Sequence, residues 1–181
     1  MKTSTRLNLA SLVEELGPIP NVYLGGKIRE DCWRHLLLKG LRDHKWINGP
    51  LSQQGFDYVG PFFVRCGHGC YHHPNKHGAI NGCWDEYDQT REEVLYLCTT
   101  AIDKADLVFC YIDRVDCFGT LAEIGYAYAR GKHIVIAFAP NLVSHDNNDI
   151  WFPSQMANKI HFNICLCQLS RLFEKTLREL P

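Results

Sequence analysis

The chain has 181 residues, is 46% hydrophobic and 22% charged, and carries a formal net charge of -1 at pH 7. That length and apolar share suit one globular domain over 1–181, and the near-neutral charge excludes the electrostatic footprint of a general nucleic-acid binder, leaving a small molecule as the expected partner. No apolar run approaches the roughly 20 residues of a membrane span, and MKTSTRLNLASLVEELGP lacks the apolar core and cleavage site of a signal peptide, so a cytoplasmic protein with no membrane partner is expected.

NVYLGG (21–26) is a short β-branched and aromatic run ending in two glycines. KIREDCWRHLLLKGLR follows with Ile28, Cys32, Trp33, Leu36, Leu37 and Leu41 at helical spacing, so the segment reads as strand, glycine turn, helix. FDYVGPFFV (56–64) predicts a second strand with a Gly-Pro interruption. Residues 65–87, RCGHGCYHHPNKHGAINGCWDEY, have no periodicity and form a long Gly, His and Cys-rich loop, a kind of stretch that usually has a function. DQTREEVLYLCTTAIDKA (88–105) is helical by the spacing of Val94, Leu95, Cys98, Ala101 and Ile102, and DLVFCYID (106–113) is apolar enough for a strand covered on both faces. GTLAEIGYAYARGK reads as a helix closed by Gly131, HIVIAFAP (133–140) as a buried strand, KIHFNICLC (159–167) as the last strand, and QLSRLFEKTLREL as an amphipathic terminal helix. Five strands with intervening helices imply a mostly parallel sheet in a three-layer α/β domain, where ligands bind at the carboxyl ends of the strands. Nine cysteines is an odd count, and Cys98, Cys110, Cys165 and Cys167 lie in apolar segments where a reduced thiol behaves as a small hydrophobe; few or no disulfides are expected.

The strand over 106–113 delivers Asp113 and Asp116 just past its carboxyl end, and Gly119 and Thr120 then open a helix carrying Glu123. Three carboxylates at one sheet edge, beside helix N-terminal amides that favour negative charge, mark a candidate site. The same spacing fits plain capping by Asp116 or Thr120, with Glu123 as a first-turn acid. Lys27 and Arg29 follow the glycine turn, where two cations and a helix start suit a phosphate, or serve only as a solvated helix start.

NVYLGGKI, followed by AIDKADLVFCYIDRVDCFGTLAEIGYAYARGKHIVIA, resembles the nucleoside 2-deoxyribosyltransferase family and its nucleotide N-glycosidase relatives. The resemblance implies a Rossmann-like, flavodoxin-like fold and cleavage or transfer at the N-glycosidic bond of a nucleoside or nucleotide, with Glu123 as nucleophile on the anomeric carbon. It further implies that Tyr23 orients Glu123, that Asp116 holds or protonates the base with Asp113 as the fallback, and that Gly25 and Gly26 let the backbone approach the ligand. A homo-oligomer, dimer or higher, is implied; no redox cofactor is. The family's other acid would fall near Leu97 or Cys98, where no carboxylate stands; Asp103 is the nearest downstream. GPFFVRCGHGCYHHPNKHG also resembles a segment of deoxyribosyltransferase-like bacterial proteins, and His72 and His77 are candidates for hydrogen bonds to the substrate. Cys66, Cys70, His72, His73, His77 and Cys83 could instead hold zinc, although their spacing matches no standard finger or ribbon.

The carboxylate chemistry suits an oxocarbenium-like transition state, which a carboxylate beneath the sugar can stabilise or trap covalently. A nucleotide or NAD hydrolase and a non-catalytic nucleotide-binding module are the competing readings, and a zinc-stabilised interaction protein is a third. Phe62, Tyr71 and Trp84 are aromatic candidates for stacking a base, and Trp151, Phe152 and Met156 for a base pocket, core packing or a subunit interface.

Overall fold

The computed structural model describes residues 18–28, 33–41, 49–61, 91–140, 142 and 150–181. The strands are β1 (Asn21–Gly25), β2 (Leu51–Gln53), β3 (Phe56–Gly60), β4 (Leu107–Ile112), β5 (His133–Phe138) and β6 (Lys159–His161). The helices are α1 (Arg34–Leu37), α2 (Arg91–Lys104), α3 (Phe118–Ala129), α4 (Trp151–Ser154) and α5 (Leu166–Arg178).

The six strands form one sheet in the order β2-β3-β1-β4-β5-β6. Only the β2–β3 pair is antiparallel, with Ser52 opposite Asp57. The count corrects the expected five strands. The extra one, β2, is three residues at the edge, too short to show a period of two in sequence.

The central strands are apolar at every position because both of their faces are covered. Every residue of β4 is buried. On one face, Val22, Leu24, Phe109, Tyr111, Val135 and Ala137 pack with Trp33 and Leu38 beside α1 and with Leu169 and Phe173 of α5. On the other, Tyr23, Val108, Cys110, Ile134 and Ile136 pack with Ala101 and Ile102 of α2 and Ile124 and Ala127 of α3. Alternate residues of each strand therefore serve opposite layers, giving the three-layer, Rossmann-like architecture expected.

Three other boundaries differ. Among the described residues, the helix expected from Lys27 is found at Arg34–Leu37; Lys27 and Ile28 are non-helical, while Arg29 lies outside the described residues. The strand from Phe56 stops at Gly60, which a cis peptide joins to Pro61. The strand expected over 159–167 ends at His161, because Asn163 takes a left-handed φ of 58° and Cys165 then becomes the N-cap of α5. Cys165 and Cys167 are joined there as a disulfide, so they are neither in a strand nor reduced as expected. Cys98, Cys110 and Cys117 are free thiols.

Candidate active site

In chain order the parallel strands run from β1 outward to β3 and then return to the other side of β1 as β4. The carboxyl ends of β1 and β4 are therefore the topological switch point, where open α/β sheets bind ligands. Gly25 ends β1 there, Asp113 stands just beyond β4, and Glu123 of α3 is joined to Tyr23 of β1.

Tyr23 is fully buried, and its Oη donates a hydrogen bond of 2.6 Å to Glu123 Oε1. That is the length of an O–H to carboxylate bond. Glu123 is only partly buried, so some of its surface stays open while its carboxyl has lost most of its water. Burial pushes its pKa from an ordinary 4.5 up to about 7, against the Tyr23 hydrogen bond and the positive charge of Arg34. Burial, with Glu123 next, holds the Tyr23 phenol well above its usual value, so it stays a neutral donor.

Capping does not account for the acids. The N-cap of α3 is Cys117, it makes no side-chain cap bond, and no acid stands in the first turn. Asp116 instead binds Arg114 Nε at 2.9 Å and Lys27 Nζ at 3.2 Å. Arg114, then Lys27, holds its carboxyl below the usual range. Lys27 Nζ also donates to the Asp116 carbonyl at 3.0 Å, tying the glycine turn to the loop after β4. Asp113 is partly buried, and it and Asp116 both help to raise the pKa of the buried Cys117 thiol to about 11, with desolvation the larger cause.

The glycine turn is required sterically. A Cβ on Gly25 would lie 2.6 Å from Cys110 Sγ, 3.5 Å from Thr120 Cγ2 and 3.6 Å from Glu123 Oε2. Gly26 has φ of +151°, and a Cβ there would lie 2.7 Å from the Tyr111 carbonyl oxygen. Gly25→Ala is expected to destabilise the fold by about 1–3 kcal/mol through overpacking. Removing the obstructing sulfur should restore part of that loss. Urea denaturation of Gly25→Ala, Cys110→Ala and the double variant measures this, and purely additive effects would contradict the clash.

The structure thus brings together Tyr23, Gly25, Thr120 and Glu123, with the Lys27–Asp116 pair spanning the neighbouring loops. Gly119 lies in the first turn of α3, exposed, with open space where a side chain would stand. Arg29, His72, His77 and the remaining candidates in 65–87 lie outside the described residues, as do Phe62, Tyr71 and Trp84. Among the described residues, no group of three or more His, Cys, Asp and Glu side chains is placed to hold a metal. Trp151 and Phe152 are 57% and 58% exposed, which excludes core packing within the chain for them, whereas Met156 packs on the α2/α3 side of the core.

Sequence reasoning assigned no role to two contributors, although it marked Cys98 as a place where the family's other acid would fall. Cys98 of α2 interacts with both Tyr23 and Glu123, and burial first, then Glu123, pushes its thiol up to about 12. Asp103 points elsewhere, to Tyr126 Oη at 3.0 Å and Arg130 Nε at 2.7 Å. The other contributor is the fully buried Arg34, whose only signal was a cation set among Trp33, Leu36 and Leu37.

A mostly parallel α/β sheet with a tyrosine-bonded carboxylate at its switch point defines a protein of the Rossmann-like class. Within it, the chain belongs to the nucleoside 2-deoxyribosyltransferase-like family, whose family model matches residues 19–140. Nucleosides are the substrates that the family's description names. Among solved structures, the chain is similar to the CMP N-glycosidase BcmB of Clostridium botulinum at 18% identity, with 86% of this chain and 98% of that one covered and a TM-score of 0.46. It is also similar to a conserved protein from Enterococcus faecalis V583 at 19% identity, with 90% and 98% covered and a TM-score of 0.43. Comparison with curated proteins gives no match. No helix among the described residues is long and apolar enough to cross a membrane.

Proposed function

We propose that the chain cleaves the N-glycosidic bond of a nucleoside or nucleotide with Glu123 as the nucleophile. The observation that carries this reading is the 2.6 Å bond from a fully buried tyrosine to a partly open carboxylate at the switch point. The ionised carboxylate attacks the anomeric carbon, the carbon–nitrogen bond breaks, and its electron pair leaves with the base. Tyr23 holds one carboxylate oxygen, leaving the other to react. Water or a second base then attacks the glycosyl ester, releasing free sugar or a new nucleoside and restoring Glu123.

Asp116, kept ionised by Arg114 and Lys27, serves as an acceptor for polar hydrogens of the substrate. Asp113 and the histidines at 72 and 77 are the candidates for protonating the departing base. Gly25, Gly26, Gly119 and Thr120 border the sugar, and Lys27 with Arg29 receives a 5'-phosphate where one is present. Burial keeps the Cys98, Cys110 and Cys117 thiols protonated, which argues against a cysteine nucleophile among the described residues. The exposed Trp151 and Phe152 suit contact with a second copy of the chain in a homo-oligomer.

Hydrolysis and transfer share the glycosyl ester and differ in what attacks it, water or a second base, so the products separate them. The test is a chromatographic screen of ribonucleosides, deoxynucleosides, their 5'-monophosphates and NAD, each with and without a free acceptor base. Release of base is the expected result; release without an acceptor would assign hydrolysis, and exchange only with an acceptor would assign transfer. No release from any of them, with tight nucleotide binding, would replace catalysis by a binding role.

A further inference from the structure

Arg34 is 0% exposed, an uncommon state for an arginine because a buried charge is costly unless it is paired and hydrogen-bonded. Its Nε donates to the Leu24 carbonyl and its Nη2 to the Gly26 carbonyl, each at 2.9 Å. The two acceptors flank Gly25, where a Cβ would stand 3.6 Å from Glu123 Oε2, within van der Waals contact of the carboxylate. Trp33, next in sequence, lies under the guanidinium at 4.9 Å and also walls Gly26, since a Cβ there would lie 2.9 Å from Trp33 Nε1. Arg34 belongs to the layer of α1 and α5, whereas Glu123 belongs to the layer of α2 and α3. The end of β1 therefore has a cation gripping it from one layer and a carboxylate resting against it from the other.

We propose that Arg34 is a positioning residue for Glu123: its planar fork fixes the Leu24–Gly26 backbone against the carboxylate and places a permanent buried positive charge across the strand end from it. The fork geometry matters because one guanidinium can hold two carbonyls in a fixed relation, which an ammonium cannot. The charge matters because of what else faces Glu123. Among the described residues, the titratable or charged groups coupled to it are Tyr23 on β1, Cys98 on α2, Cys110 on β4 and Arg34 on α1. Burial keeps the phenol and both thiols neutral, so Arg34 is the charge in this set that opposes desolvation of the carboxylate.

The role rests on Glu123 being the reacting carboxylate, but its test does not require turnover. Arg34→Met and Arg34→Lys are prepared with carboxyl-13C glutamate, and Glu123→Gln assigns the Glu123 resonance. In Arg34→Met the Glu123 titration is expected to move upward by at least ~0.5 pH unit. In Arg34→Lys it should move less, while the Gly25 and Gly26 amide resonances shift because the two-carbonyl grip is lost. A folded Arg34→Met with an unchanged Glu123 titration overturns the proposal. So does Arg34→Lys with unmoved Gly25 and Gly26 amides, a criterion that stands even if Arg34→Met does not fold. Where turnover is detected, the acid limb of the kcat/KM profile should follow the titration, a shift that a merely structural role would not produce. Absence of turnover on every substrate would count against the glycosidic reading alone.

Discussion

Glu123→Ala is expected to lose glycosidic turnover by about 1,000-fold or more, because the variant removes the group proposed to form the covalent bond. Among the described residues no neighbour is placed to take over. Burial, the larger cause of the raised Cys98 and Cys110 pKa values, remains in the variant and keeps both thiols protonated after the Glu123 charge is removed. Asp116 is occupied by Lys27 and Arg114. Glu123→Asp should fare little better, since a side chain one methylene shorter withdraws from a Tyr23 hydroxyl fixed by complete burial. Nucleotide binding, measured by calorimetry, should survive in the alanine variant while base release, followed by chromatography, falls. Release within about tenfold of the unmodified protein would remove Glu123 from the nucleophile's role.

The second large effect is on stability and depends on pH. The Glu123 pKa is raised from 4.5 to about 7 in the folded protein, so between these values the folded chain keeps a proton that the unfolded chain has released. Stability associated with this group is fully present below pH 4.5 and is lost as pH rises through 7. Above that, the buried charge costs about 1–3 kcal/mol, a figure reduced for the part of Glu123 that remains in contact with water. Glu123→Gln keeps an acceptor for Tyr23 but removes the titration. It should match the unmodified protein in urea denaturation near pH 4.5 and exceed its stability by that amount at pH 8. A difference that is the same at both pH values would mean that the Glu123 charge carries no such cost. The same titration makes turnover increase as pH rises toward 7, since only the ionised form attacks.

The parts of this molecule visible in its sequence were those whose environment is uniform. β4 and β5 are buried on both faces, so their continuous apolar runs announced them, and the observed strands fall within one or two residues of the apolar limits. Glu123 was prominent as an acid after a Gly-Thr turn, but its partnership with Tyr23 came from a motif resemblance, since spacing alone cannot join strands brought together by the sheet. β2 and the early end of β6 were hidden for local reasons. A strand of three residues has no measurable period, and the left-handed turn at Asn163 interrupts a segment that is otherwise apolar. Arg34 was missed, and Cys98 was noted only as a place where the family's other acid would fall, because their contacts depend on what lies across the sheet end. An arginine in a helix usually reads as solvated, and nothing in KIREDCWRHLLL states that its guanidinium finds two strand carbonyls.

The bond between Tyr23 and Glu123 joins positions 100 residues apart in the chain. As the polypeptide is made, the tyrosine precedes its partner by most of the domain, and the carboxylate is desolvated only when β4 and α3 dock beside β1. The electrostatic cost of the site thus falls late in assembly, after local structure has formed, and non-local contacts of this kind slow folding. Closure of the intervening chain adds only about 0.6 kcal/mol for each doubling of its length. Large changes in that connection are therefore thermodynamically mild so long as β1, β4 and α3 still meet, and the acid and its tyrosine can remain together while the chain between them diverges.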